Sequence, residues 1–163
     1  MTPRLPLGYS EFKQLRRQGF HFVDKSMLVA DVVRASDAVL LVPRPRRFGK
    51  TLNLSMLGAF LGRNDDDSTD VFSDLAVWQA GDDVRAHFRR YPVLALTLKD
   101  VKHQAWGDCR AHVVAALAQC AEQHSAIIDP VVVQPKERAA WQHILAGQPD
   151  NDELADALKY LTG

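Results

Sequence analysis

The chain has 163 residues, enough for one ordinary domain, and its 47% hydrophobic and 25% charged residues are typical of a globular protein. Its 20 basic and 20 acidic residues balance, so the net charge predicts no general attraction to nucleic acid or to an acidic membrane surface. No apolar run approaches the roughly 18 residues of a membrane-spanning helix, and the N-terminus lacks a signal-peptide pattern, so we expect no membrane contact.

Hydrophobic periodicity predicts several helices along the chain. These helices cover residues 9–18, 25–35, 51–61, parts of 71–90, about 108–124, 136–146 and 151–161. In the third of them, Leu54, Leu57 and Leu61 are predicted to form one buried stripe, which Met56 and Phe60 widen.

Short apolar or aromatic runs lie between the predicted helices, at 20–23, 39–42 and 93–98. We interpret all three runs as strands, and the continuous run at 39–42 is typical of a strand that is buried on both faces. Strands that alternate with helices predict an α/β fold with a parallel sheet.

The two cysteines, Cys109 and Cys120, lie in one predicted helix. Eleven residues of helix separate their backbones by about 16 Å, which is too far for a disulfide. They share a helix face with Val113 and Leu117, so we interpret both as buried thiols. Such thiols are typical of a reducing compartment, and we expect a cytoplasmic location.

The segment from Arg44 to Thr51 has the sequence Arg-Pro-Arg-Arg-Phe-Gly-Lys-Thr and lies between the predicted strand at 39–42 and a predicted helix. A phosphate-binding P-loop has this strand–loop–helix order, and its usual spelling is G-x-x-x-x-G-K-[ST]. Gly49, Lys50 and Thr51 match the last three positions, whereas Arg44 occupies the position of the first glycine.

Each matching residue has a distinct role in a P-loop. Gly49 allows the backbone to approach the phosphates, and the Lys50 ammonium bridges the β- and γ-phosphates. The Thr51 hydroxyl binds a magnesium ion. Pro43 and Pro45 have no N–H group, so the loop must use its later backbone donors.

Two alternatives remain open for these residues. The basic side chains of Arg44, Arg46, Arg47 and Lys50 form a loop that would also fit the phosphate backbone of a nucleic acid, although the net charge does not support this. Residues 100–102 have the D-x-K spacing of a nuclease site. They lack an accompanying upstream acid, and we interpret them as a solvated strand end.

Two longer stretches of the sequence can be compared with known families. Phe20 to Ser26 reads FHFVDKS, and Leu40 to Leu52 reads LLVPRPRRFGKTL. Both resemble the bacterial AAA-ATPase-like family, whose members have an hhVDK[ST] segment and an RPRRFGK[ST] variant of the Walker A loop at this distance. The residues from Tyr91 to Leu94 are similar to the next strand of that family, and the similarity covers roughly residues 5–100 well.

The resemblance implies a P-loop NTPase-like, AAA-type parallel sheet with flanking helices. Residues 1–163 would be the N-terminal part of that domain, incomplete at its C-terminus. Its cofactors would be ATP and Mg²⁺, with the metal held through the nucleotide by Thr51. The implied contacts are Arg44, Arg46, Arg47, Phe48, Gly49, Lys50, Thr51 and Leu52. The two arginines at 46 and 47 would flank the phosphates.

The resemblance also sets expectations about the rest of the protein. Asp24 and Lys25 match the upstream segment, for which we expect a structural role. No Walker B strand is found before Gly163, so the catalytic residues are unknown, and hydrolysis is expected only in a longer parent protein. A partner protein or a further C-terminal region is therefore expected, and longer relatives often continue into a PD-(D/E)XK nuclease-like domain.

Overall fold

A computed structural model describes residues 5–6, 8–35, 37, 39–43, 45, 48–63, 67–99, 101–102, 105–123 and 135–162. The chain divides into two compact units, Met1–Val93 and Leu94–Gly163. The α-helices of the first unit are α1 (Phe12–Arg17), α2 (Met27–Arg34), α3 (Lys50–Leu61), α4 (Thr69–Phe72) and α5 (Asp82–Arg85), and a 3₁₀ helix spans Ala76–Gln79. Those of the second unit are α6 (Trp106–Gln123), α7 (Pro135–Leu145) and α8 (Asn151–Thr162). Each predicted helix is therefore confirmed.

The predicted parallel sheet is wrong. The part of the chain that the structure describes is helical, and none of its residues forms a strand in a sheet. Its one β-type pairing is an isolated parallel bridge between Gly62 and Tyr91. Val39 and Leu41, which we expected to be buried, are 81% and 86% exposed. A run of four apolar residues indicates burial only if neighbouring strands accept its backbone hydrogen bonds, and no described segment does so here.

The core of the first unit is built from aromatic rings contributed by several helices. Phe12, Phe60 and Phe72 are fully buried, and Phe88 packs against the last two of them. The ring centroids of Phe12 and Phe72 are 4.9 Å apart, and those of Phe60 and Phe72 are 5.2 Å apart in an edge-to-face arrangement. Burying each ring contributes roughly 1.5–3 kcal/mol, so this cluster holds α1, α3 and α4 together.

Helix α3 buries a different stripe from the one expected. Met56 and Phe60 are fully buried, whereas Leu54 is 66% exposed. Leu57 and Leu61 are half-buried against the same core. The buried face is therefore centred on Met56 and Phe60, which are four residues apart on the same side of the helix. With this face buried, the N-terminal end of α3 lies at the surface of the core, beside α1 and α2.

The second unit packs α6, α7 and α8 around its own cluster. Leu117 and Ala121 of α6 contact Trp141 and Ile144 of α7, and Ala157 of α8 joins them. A reciprocal capping box begins α8. The backbone N–H of Glu153 donates to Asp150 Oδ1 at 2.7 Å, and the N–H of Asp150 donates to Glu153 Oε2 at 2.9 Å.

The two thiols on α6 differ in their exposure. Cys120 is buried as expected, and its burial raises the pKa of the thiol. Cys109 is only half-buried, and no disulfide joins the two residues.

Candidate functional site

Gly49 determines how the chain enters α3. It is the N-cap residue, with φ 73° and ψ 22° in the left-handed region, and its carbonyl accepts a hydrogen bond from the Asn53 N–H at 2.9 Å. A glycine offers no side-chain oxygen to the first helical N–H groups, and the first turn contains no acidic residue. The N-terminus of α3 therefore presents backbone donors and a positive partial charge to an incoming anion.

Five of the eight predicted nucleotide contacts lie together at this helix start. Phe48 is 57% exposed, and Lys50 and Thr51 are exposed in the first turn, with Leu52 half-buried behind them. The other three predicted contacts, Arg44, Arg46 and Arg47, lie outside the described residues. The Lys50 side chain also lines a small cavity of about 190 Å³ between α2 and α3.

A cleft of about 400 Å³ opens beside Phe48 and Gly49. It is lined by Leu5, Pro6, Leu15, His21, Phe22, Val23, Lys25, Phe48, Gly49, Leu52 and Asn53. Its volume is within the 300–1,000 Å³ of typical ligand pockets, and most of its lining side chains are apolar, as in such pockets. The meeting of residues 5–6, 21–23 and 25 with the loop was not predicted from the sequence.

Asn53 is the polar side chain buried in the wall of this cleft. The residue is 6% exposed, and its Nδ2 atom has no hydrogen-bond partner. Leaving a buried donor unpaired costs roughly 1–3 kcal/mol, so such an atom in a folded protein requires an explanation. Asn53 was not predicted as a site residue from the sequence, although its position three residues after Lys50 could have indicated it.

Another depression, of about 450 Å³, lies on the surface of α1. Its lining consists of Glu11, Lys13, Gln14, Arg17 and Gln18, which belong to one short helix and its two ends. Polar groups from different elements do not converge there, so we do not regard it as a site.

Comparison with known proteins identifies the family of this chain. Residues 6–159 match the family described as Predicted AAA-ATPase. The chain belongs to this family. No curated protein and no solved structure gives a significant match. Membership in the Predicted AAA-ATPase family is consistent with nucleotide binding in general, a property that usually involves Mg²⁺.

The upstream segment of this AAA-ATPase-like chain has the structural role that we expected for Asp24. The Asp24 carboxylate accepts hydrogen bonds at 2.8 Å from the backbone N–H of Ser26 and from that of Ala76. The buried Ser26 Oγ accepts another from the N–H of Val77 at 3.0 Å. Asp24 and Ser26 therefore fix the start of α2 to the 3₁₀ helix, while Lys25 between them lines the cleft.

These contacts also shift the acidity of Asp24. Partial burial acts to raise the pKa of its carboxyl group. The N–H of Ala76 and the hydrogen bonds from Ser26 stabilise the ionised form and outweigh that effect, so the pKa lies below its usual value. Asp24 is therefore charged and stabilises the turn through these hydrogen bonds.

Among the residues that the structure describes, no three His, Cys, Asp or Glu side chains are grouped to hold a metal ion. Asp100, the acid of the D-x-K string, lies outside the residues that the structure describes. Likewise, no helix within the described ranges is long and apolar enough to cross a membrane.

Proposed function

We propose that the chain binds ATP, together with Mg²⁺, at the N-terminus of α3 through residues 44–52, a variant of the Walker A loop. The observation that supports this best is the left-handed Gly49 at the start of α3, followed directly by exposed Lys50 and Thr51. The chain is a member of the Predicted AAA-ATPase family, which agrees with this proposal.

The helix start suits a triphosphate for electrostatic reasons. Its first backbone N–H groups have no capping side chain from Gly49, and no carboxylate in the first turn repels an anion. The Lys50 ammonium adds a positive charge beside these donors and would contact the β- and γ-phosphates. Gly49 has no Cβ, so the phosphates can come close to the backbone.

The remaining predicted contacts are assigned to the metal ion and to the phosphates. The exposed Thr51 hydroxyl would hold Mg²⁺, which fills its other coordination positions with phosphate oxygens and water. Arg44, Arg46 and Arg47 keep the roles that the family resemblance implies, close to the phosphates. A cytoplasmic location is part of the proposal, since the two thiols of α6 fit a reducing compartment.

Calorimetric titration with Mg–ATP tests this function. Lys50→Ala removes a charge-assisted contact worth roughly 1.5–3 kcal/mol, so ATP affinity should fall by about tenfold or more. The matched control is Lys99→Ala, which removes an equally exposed lysine outside the loop and should bind as the unmodified chain does. Equal ATP affinity in both variants would refute the proposal.

The nucleic-acid alternative remains a prediction, because three of its four basic residues lie outside the described part of the chain. Titrations at different Mg²⁺ and salt concentrations separate nucleotide binding from nucleic-acid binding. Nucleotide binding should require Mg²⁺ and Thr51, whereas binding to a phosphodiester backbone should weaken steeply with added salt and be indifferent to Mg²⁺.

A further inference from the structure

We propose that the cleft beside Gly49 holds the adenine base of the nucleotide and that the side-chain amide of Asn53 recognises that base. This inference rests on the proposed function, because it assigns the other end of the same ligand. It identifies the site as selective for adenine nucleotides over guanine nucleotides.

The cleft has the size and surface that a nucleobase needs. Its volume of about 400 Å³ is within the range of small-molecule pockets. Leu15, Phe22, Val23 and Leu52 supply apolar surface for a flat ring, and Phe48 of the loop also lines the cleft. A purine ring is apolar on its faces and polar at its edge, so such walls leave its edge to be recognised by a polar group.

Asn53 supplies that polar group. Its side chain lines the cleft, the residue is 94% buried, and its Nδ2 donor lacks a partner. An asparagine amide has a donor and an acceptor side by side, which matches N7 and the 6-amino group of adenine. Guanine presents two acceptors, N7 and O6, at the same edge, and it satisfies only the donor.

Gly49 connects the cleft with the proposed phosphate position. Gly49 belongs both to the cleft lining and to the start of α3, so the cleft adjoins the proposed phosphate position directly. Asn53 follows Lys50 by three residues, a rise of about 4.5 Å along the helix axis. The base and the triphosphate can therefore contact the same turn of α3 from adjacent places.

The other cavity next to Asn53 fits a base less well. Its volume of about 190 Å³ is below the range of ligand pockets, and Leu28, Leu54 and Leu57 make it almost entirely aliphatic. It also does not include Gly49 among its lining residues. The larger cleft is therefore the one that continues from the helix start.

The test compares three ligands by calorimetry: Mg–ATP, Mg–GTP and inorganic tripolyphosphate, which lacks a base. The unmodified chain should bind ATP about tenfold more tightly than GTP. Asn53→Leu has a similar size but no amide, and it should weaken ATP binding about three- to tenfold and remove the preference over GTP. Tripolyphosphate binding should stay unchanged, because the amide contacts only the base.

Thermal melting of the same variants separates base recognition from a structural role. Asn53→Leu removes an unpaired buried donor, so its melting temperature should equal or exceed that of the unmodified chain. Leu54→Ala, the next residue on α3, is the control and should leave all three affinities unchanged. If Asn53→Leu does not fold, the ATP-to-GTP ratio of the unmodified chain decides the question.

Two results would overturn the inference, and they differ in what else they refute. If tripolyphosphate and ATP bind with similar affinity and GTP equals ATP, the phosphate site stands and the base pocket is wrong. If neither ATP nor tripolyphosphate binds to the unmodified chain, both this inference and the proposed function fail.

Discussion

At the scale of single residues, Gly49 has a positive φ of 73°, a backbone conformation that L-residues rarely adopt. A Cβ added to it would meet no atom within 4 Å, so any cost of substitution comes from its positive φ alone. We expect Gly49→Ala to lower the free energy of unfolding by about 1 kcal/mol, which is the penalty of the left-handed conformation for an L-residue. Urea denaturation measures this change.

Gly107 provides a control with the opposite sign. It is the second residue of α6, and a Cβ there would also meet no atom within 4 Å. Gly107→Ala should therefore raise the free energy of unfolding slightly, by up to about 0.5 kcal/mol, because alanine favours the helix and Gly107 is in its first turn. If Gly49→Ala were as stabilising as Gly107→Ala, Gly49 would not be left-handed.

Asp24 makes the stability of the first unit depend on pH. Its pKa is lower in the folded chain than in the unfolded chain, so its contribution is complete above the unfolded pKa of about 3.9. That contribution is lost as the pH falls through the depressed folded value. We expect Asp24→Ala to lower the melting temperature at pH 7 and to reduce the loss of stability below pH 4.

Melting curves between pH 7 and pH 2 measure both effects. Asp37→Ala is the matched control, because Asp37 is an exposed aspartate outside the turn. An acid dependence that is identical in Asp24→Ala and in the unmodified chain would mean that the hydrogen bonds from Ser26 and Ala76 contribute nothing to stability.

At the scale of elements, α3 has one buried face and one exposed face. Phe60 is fully buried among Phe72 and Phe88, so Phe60→Ala should cost about 3–5 kcal/mol of unfolding free energy. Leu54→Ala removes a leucine that is mostly exposed and should cost less than about 0.5 kcal/mol. Chemical denaturation of the two variants compares these values, and a larger loss for Leu54→Ala would mean that the helix is rotated.

At the scale of the whole molecule, residues 39–42 form an exposed apolar segment. Its side chains from Val39 to Val42 are all on the surface of the first unit, and contiguous apolar surface of this kind is typical of an interaction site. We expect a second copy of the chain to cover it, because two copies that meet there both bury apolar surface. The unmodified chain should then associate as its concentration rises, and Leu41→Lys should reduce that association.

Sedimentation at several concentrations tests this prediction. The control is Leu5→Lys, which adds the same charge at another exposed leucine outside this segment. Purely monomeric behaviour of the unmodified chain at every concentration would refute the prediction that segment 39–42 causes self-association.

The helices and the position of the loop were predictable from sequence because they depend on local interactions. An α-helix makes its hydrogen bonds with residues four positions away, so its apolar period and end signals lie within one short window. Gly49 at the start of α3 follows in the same way from the Gly-Lys-Thr string. The family, too, could be inferred from two short strings, and the match over residues 6–159 confirms it.

Only the tertiary structure decided the features that depend on residues far apart in the chain. A strand needs hydrogen-bond partners for its backbone N–H and C=O groups, and the sequence of residues 39–42 does not show whether such partners exist. The burial of Asn53 and the cleft that it lines depend on residues 5–6 and 21–25 folding back onto α3. The sequence by itself therefore determined where α3 begins and that Gly49, Lys50 and Thr51 stand at its start, whereas long-range packing decided what surrounds that start.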